Sequence, residues 1–246
     1  MSSKLPLLDE NFDPSQLMDT VARKRMQQAQ LLGHAVTGNP RDYLEPDTAR
    51  KVLSDFYGIS DDTDPYARGS SELTGRFQEL AKEAKDRIFN DAPEWLTFEE
   101  LPIAMLLTPA TVLSYSCLCH PQHLFFGEVS FKDESLDFIV ENFLHEYAHN
   151  WLYLLQEISA FSADRYRVMY TLPSGTPNRP VTAVIDAAYV AAVLRYYYAK
   201  IKKPQREAEL TAYLAGCLMQ IRNDPDLTRV GLGVCRRLSE EVASLS

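Results

Sequence analysis

The stretch FIVENFLHEYAHNWLYLL, residues 138–155, constrains the fold more than any other part of the chain. Phe138, Ile139, Leu144, Trp151, Leu152, Leu154 and Leu155 spread around a helix, so the helix is expected to be deeply buried. Such a helix carries His145, Glu146 and His149 at a cost unless those groups are paired or ligated. Residues four apart lie ~40° apart around the axis and one turn along it. His145 and His149 can therefore direct two imidazoles at one metal ion, with Glu146 on the flank. This is the H-E-x-x-H pattern, in which the glutamate of a zinc hydrolase is the general base that activates water.

Two histidines do not complete a metal site, and His149 is the last histidine in the chain. Glu157 is two turns beyond it on the same helix, where reaching back is difficult. Glu207 and Glu209 sit in a polar stretch after Pro204. The conspicuous donor is Asp186, the only acid in the apolar run RPVTAVIDAAYVAAVLRYYYA. It shares a helical face with Tyr189, Val190, Val193 and Tyr197. A lone carboxylate there needs a partner, either a metal held by two imidazoles or a core Arg or Tyr. With His145, His149 and Asp186 as ligands the set is two histidines and one carboxylate. That is the facial triad of non-haem Fe(II) oxygenases, although Zn uses the same donors.

The rest of the chain predicts a mainly α, α+β fold with no internal repeat. A helix opens at Pro14, with Leu17, Val21, Met26, Leu31 and Leu32 at helical spacing; a second begins near Asp47, capped by Asp47 or Thr48. SELTGRFQELAKEAKDRIFN reads as a third helix. LPIAMLLTP, TVLSYSCLC and HLFFGEVSF read as strands, forming a small sheet of two or three. Helices return at about 133–161 and near 181–201, 206–222 and 227–245. The expected division is a helical N-terminal region, 1–95, serving substrate recognition, and a metal-binding catalytic region, 96–246, whose C-terminal half is helical.

A net charge of −9 argues against a broad nucleic-acid surface, and the basic triplet Arg23–Lys24–Arg25 reads as a solvated helix face. No run approaches the ~20 apolar residues of a membrane span. MSSKLPLLDENFD lacks the apolar core of a secretory signal, and four scattered cysteines read as free thiols. A cytoplasmic protein is the expectation. Cys117-Leu-Cys119-His120-Pro-Gln-His123 invites a second metal site, but its spacing matches no common structural zinc pattern, and a core-and-turn role is preferred. His120 or His123 can instead approach the active site. Gly127 is expected to allow close backbone approach or a bulge.

From about Phe125 to the C-terminus the chain resembles the HExxH-type 2-oxoglutarate-dependent peptide β-hydroxylases of bacterial natural-product clusters. FFGEVSF is similar to the family's Pro-Gly strand, and the motif helix FIVENFLHEYAHNWLYLL follows. NRPVTAVIDAAYVAAVLRYY then resembles its Arg-Pro lead-in to a long helix, and LTRVGLGVCRRLSEEV its terminal helix. The family is expected to carry histidine where this chain has Asp186, a change that keeps a donor and alters its charge. The resemblance implies an Fe(II)- and 2-oxoglutarate-dependent hydroxylase acting on a peptide or a peptide-derived natural-product intermediate. A cation must then hold the distal carboxylate of 2-oxoglutarate: Arg179 first, with Arg195, Arg165 and Arg167 as alternatives. Tyr189, Tyr197 and His123 are the expected substrate contacts. In this reading Glu146 orients His149 or a bound water. The alternatives are a zinc metallopeptidase with Glu146 as base, and a non-catalytic peptide-binding protein with a structural metal.

Overall fold

The computed structural model describes residues 4–36, 38–58, 64, 66–132, 135–164 and 167–243. Seven α-helices and six short strands appear among them, a mainly α, α+β fold. The chain forms two compact units, divided after Leu154, inside the motif helix. The first unit is Asp13–Leu154; the second combines Met1–Phe12 with Leu155–Ser246.

In the first unit, α1 (Pro14–Leu31) begins where Asp13 accepts a hydrogen bond from the Gln16 amide and Pro14 takes the first helical position. α2 (Pro46–Tyr57) starts one residue earlier than its sequence suggested, because Pro46 fills the same role after Glu45. α3 spans Gly75–Asp91, while the Ser71–Glu72 segment ahead of it forms strand β1. The other strands of this unit are β2 (Ala104–Thr108), β3 (Ser114–Tyr115) and β4 (His123–Gly127). Their order is β1-β2-β4-β3, with β2 and β4 parallel and the outer pairs antiparallel. Every residue of β4 is buried, as its continuous apolar run requires of a central strand. Gly127 ends β4 where a Cβ would lie 1.9 Å from the Val112 carbonyl oxygen, which confirms the close backbone approach.

The N-terminal helices belong to this unit because a buried polar network ties them to the motif helix α4 (Leu136–Ile158). Arg25 is 0% exposed, so it is not part of a solvated face. It donates to the Tyr43 carbonyl at 3.1 Å and to Gln122 Oε1 at 2.5 Å. Gln122, at φ 62°, donates in turn to the Leu44 and Pro102 carbonyls. Its amide donates to Asn150 Oδ1 at 2.7 Å, and Asn150 Nδ2 donates to the Glu146 carbonyl. The buried side chains of Arg25, Gln122 and Asn150 thereby gain partners, which is the condition for keeping them in a core. Leu31 and Leu32, by contrast, are exposed at the end of α1.

In the second unit α5 (Val181–Lys200) packs against α6 (Pro204–Ile221) and α7 (Arg229–Ala243). α5 is apolar on all sides and is correspondingly the most enclosed of the three. Strands β5 (Val168–Tyr170) and β6 (Arg179–Pro180) form an antiparallel ribbon that leads into α5. The segment before Asp13 is held by Tyr189, whose hydroxyl donates to the Pro6 carbonyl at 2.8 Å, and by Arg237, paired with Asp9 at 2.8 Å. No helix among the described residues is long and apolar enough to cross a membrane.

Candidate functional site

The histidine pair takes the arrangement expected of residues one helical turn apart. The rings of His145 and His149 have centroids 5.0 Å apart, at 63° to one another. His149 stacks on Tyr153 one turn further along, at 5.6 Å and 19°, which fixes its ring plane. Burial, with the neighbouring charge of His145, lowers the His149 pKa well below the ordinary histidine value. The ring is therefore neutral, the form that donates a lone pair to a metal. Its Nδ1 is buried and has no hydrogen-bond partner among the described residues. A buried imidazole nitrogen without a protein partner, one helical turn from a second imidazole, gives two donors of the type that fit a metal.

Glu146 is held differently. It is 3% exposed, and its two carboxylate oxygens accept from two serine hydroxyls, Ser114 at 2.7 Å and Ser116 at 2.6 Å. Ser114 lies in β3 and Ser116 directly follows it, and the two hydroxyls reach the same carboxylate. Tyr153 donates to the Ser116 carbonyl at 3.3 Å, so the residue that stacks on His149 also braces the segment holding Glu146. These serines were not picked out from sequence; the alternating Ser-Tyr-Ser-Cys of the strand was their only signal.

The structure thus brings His145, Glu146 and His149 together on α4 in the first unit. Asp186 stands in the second unit, on α5, where its Oδ1 accepts from the side-chain amide of Gln156. Its partner is neither an Arg nor a Tyr, and it makes no ion pair among the described residues. Burial pushes its pKa up to about 7, and the Gln156 hydrogen bond offsets this only in part. No family model matches the chain, and no curated protein does.

The arginines separate clearly. Arg195 is buried and ion-paired with Glu241 at 3.1 Å and Glu207 at 3.9 Å, so its charge is already balanced within the helix bundle. Arg167 pairs with Asp224 at 3.2 Å and Asp226 at 2.7 Å. Arg165 lies outside the described residues. Arg179, in β6, is exposed and makes no ion pair among the described residues.

The three expected substrate contacts are core residues. Tyr189 and Tyr197 are buried, and the Tyr189 hydroxyl is used by Pro6. His123 is buried, donates from Nδ1 to the Pro121 carbonyl at 2.8 Å, and stacks on Phe125. All three fill core space, Tyr189 and His123 also satisfy backbone carbonyls, and none offers open surface to a bound molecule. The expectation of four free thiols is also corrected: Cys117 and Cys119 form a disulfide, while Cys217 and Cys235 are free and buried. The two cysteines sit in a turn closed by the His120 amide donating to the Cys117 carbonyl at 3.1 Å, which brings their Cα atoms to 5.4 Å and lets their sulfur atoms meet.

Proposed function

We propose that this chain is an Fe(II)- and 2-oxoglutarate-dependent hydroxylase acting on a peptide or a peptide-derived natural-product intermediate. The observation that carries the metal is the His145–His149 pair, with His149 neutral and its buried Nδ1 orphaned. His145 and His149 would hold the ion as neutral donors. The carboxylate donor proposed from the sequence is Asp186, a buried carboxyl whose charged form a cation would stabilise. When bound, iron with 2-oxoglutarate supplies dioxygen activation and C–H hydroxylation, with succinate and carbon dioxide as by-products.

The choice of an oxygenase over a peptidase is supported by Glu146. A general base must take a proton from water and give it up again, which favours a carboxylate with an oxygen free to face the reactant. Here both oxygens accept strong hydrogen bonds from Ser114 and Ser116, a fixture suited to positioning α4 and its histidines. Arg179 is the residue proposed from the sequence for the distal carboxylate of 2-oxoglutarate; of the alternatives, Arg167 and Arg195 are engaged by acids. The peptide substrate class rests on the resemblance of the segment from about Phe125 onward to the HExxH-type peptide β-hydroxylases.

Anaerobic loading with Fe(II) and 2-oxoglutarate followed by oxygen should release succinate from the wild-type chain and none from His145→Ala. Glu146→Gln should keep residual turnover. Zinc-dependent peptide hydrolysis that Glu146→Gln abolishes, with no succinate under any condition, would replace this reading with the peptidase.

A further inference from the structure

A second donor cluster lies in the first unit, apart from the histidine pair and not used by the proposed reaction. Asp64, Cys117, Cys119 and His120 bring one donor atom each to within 4.8 Å of one another. Asp64 is 9% exposed and His120 is 0% exposed, a degree of burial that acids and histidines reach when paired or ligated. The carboxylate is aimed. Asp64 Oδ1 accepts from the backbone amides of Tyr66 at 2.8 Å and Ala67 at 3.4 Å, which turns Oδ2 toward the cluster. From Oδ2 the distances are 3.1 Å to His120 Nε2, 3.8 Å to Cys117 Sγ and 3.9 Å to Cys119 Sγ.

Those separations resemble the edges of a tetrahedron around a metal ion. With zinc–donor lengths of about 2.0–2.3 Å, edges run about 3.3–3.8 Å. The edge that must open is the one between the two sulfurs, now joined as a disulfide. We propose that the Cys117–Cys119 disulfide is the oxidised, metal-free form of a tetrahedral zinc site whose four ligands are Cys117, Cys119, His120 and Asp64. Conversion needs a dithiol reductant. It breaks the Sγ–Sγ bond, delivers two electrons and two protons to the cysteines, and is itself left as a disulfide. Both thiols lose their protons when they ligate the dication. Tyr115, whose hydroxyl lies 3.4 Å from Asp64 Oδ2, then supports the carboxylate from outside the ligand set.

The site is joined to the catalytic helix by one strand segment. Ser114 and Ser116 hold Glu146, while Tyr115 and Cys117, at the alternate positions, meet Asp64. Metal occupancy therefore braces the segment that positions Glu146.

The test is titration with Co(II), a spectroscopic substitute for zinc, of the full chain carrying His145→Ala and His149→Ala, which removes the histidine pair. After reduction by a dithiol and its removal under anaerobic conditions, the protein should develop a near-ultraviolet sulfur-to-cobalt band and the intense visible bands of tetrahedral cobalt, saturating at one equivalent. Zn(II) should displace it. The oxidised protein should show no such band. Asp64→Asn, which keeps the Oδ1 acceptor for the Tyr66 amide, should weaken Co(II) binding by at least about tenfold. Cys119→Ser should halve the sulfur band, providing a second variant if circular dichroism shows Asp64→Asn unfolded. The proposal is overturned if the reduced protein gives no sulfur-to-cobalt band. It is equally overturned if the band appears with its affinity unchanged in a folded Asp64→Asn protein. Neither result bears on Fe(II) at His145 and His149.

Discussion

Ser116→Ala isolates the fixture that distinguishes Glu146 as a positioning group. The Ser116 hydroxyl is buried and donates to Glu146 Oε2 at 2.6 Å, while Ser114 donates to Oε1 at 2.7 Å. A hydrogen bond to a charged group contributes about 1.5–3 kcal/mol, and losing it leaves a carboxylate oxygen short of a donor away from water. We expect Ser116→Ala to destabilise the first unit by about 2 kcal/mol, or roughly 4–8 °C in Tm for a chain of this size. Ser114→Ala should cost less, because Ser114 is only part-buried. Adding Glu146→Gln to Ser116→Ala should cost less than the two single changes together, with a coupling on the order of 1 kcal/mol, because a neutral amide depends less on the lost donor. Urea denaturation followed by tryptophan fluorescence reads this directly: Trp95 and Trp151 are both buried in the same unit. A Ser116→Ala loss below about 0.5 kcal/mol with no coupling to Glu146 would refute the clamp.

Two further outcomes concern stability. In metal-free protein the Asp186 carboxyl, raised to about 7, holds its proton in the folded chain while the unfolded chain releases it near 3.8. Stability from this group is therefore intact below pH 4, falls as pH rises toward 7 and levels off above it, by an amount on the order of 4 kcal/mol at most. Asp186→Asn should remove that slope in denaturation midpoints from pH 4 to 8, and an unchanged slope would mean that the carboxyl is ionised throughout. Gly127→Ala places a Cβ 1.9 Å from the Val112 carbonyl oxygen and 3.1 Å from that of Ala110. Displacing backbone beside a central strand should cost about 3 kcal/mol or more, and a midpoint shift within error would show that the segment yields freely.

Local chemistry made much of this fold readable. Pro14 and Pro46 start α1 and α2, and the apolar run of β4 marks a strand buried on both faces. The i,i+4 spacing placed His145 and His149 side by side, because a helix dictates that neighbour relation on its own. What escaped were partners set by tertiary contacts. Asp64 stands 53 residues from Cys117, in a polar turn region with no motif, and Gln156 is one amide among many. Arg25 belonged to a basic triplet that looked solvated, and only Gln122 and the Tyr43 carbonyl explain its burial. Tyr189 and Tyr197 share a face with Asp186 on the helical wheel, but a face of a helix apolar all round is a packing face. The polar contacts that join α1 to α4 are likewise invisible until both ends are in place.

The most direct test of the central claim is 2-oxoglutarate binding to anaerobic, Fe(II)-loaded protein, followed by the iron-to-ligand charge-transfer band and by calorimetry. The account predicts one Fe(II) per chain, a visible band on addition of 2-oxoglutarate, and loss of both in His145→Ala, His149→Ala and Asp186→Ala. Arg179→Ala should keep the iron and weaken 2-oxoglutarate binding. A wild-type chain that binds Fe(II) without 2-oxoglutarate, or a band that survives removal of His145 and His149, would contradict it.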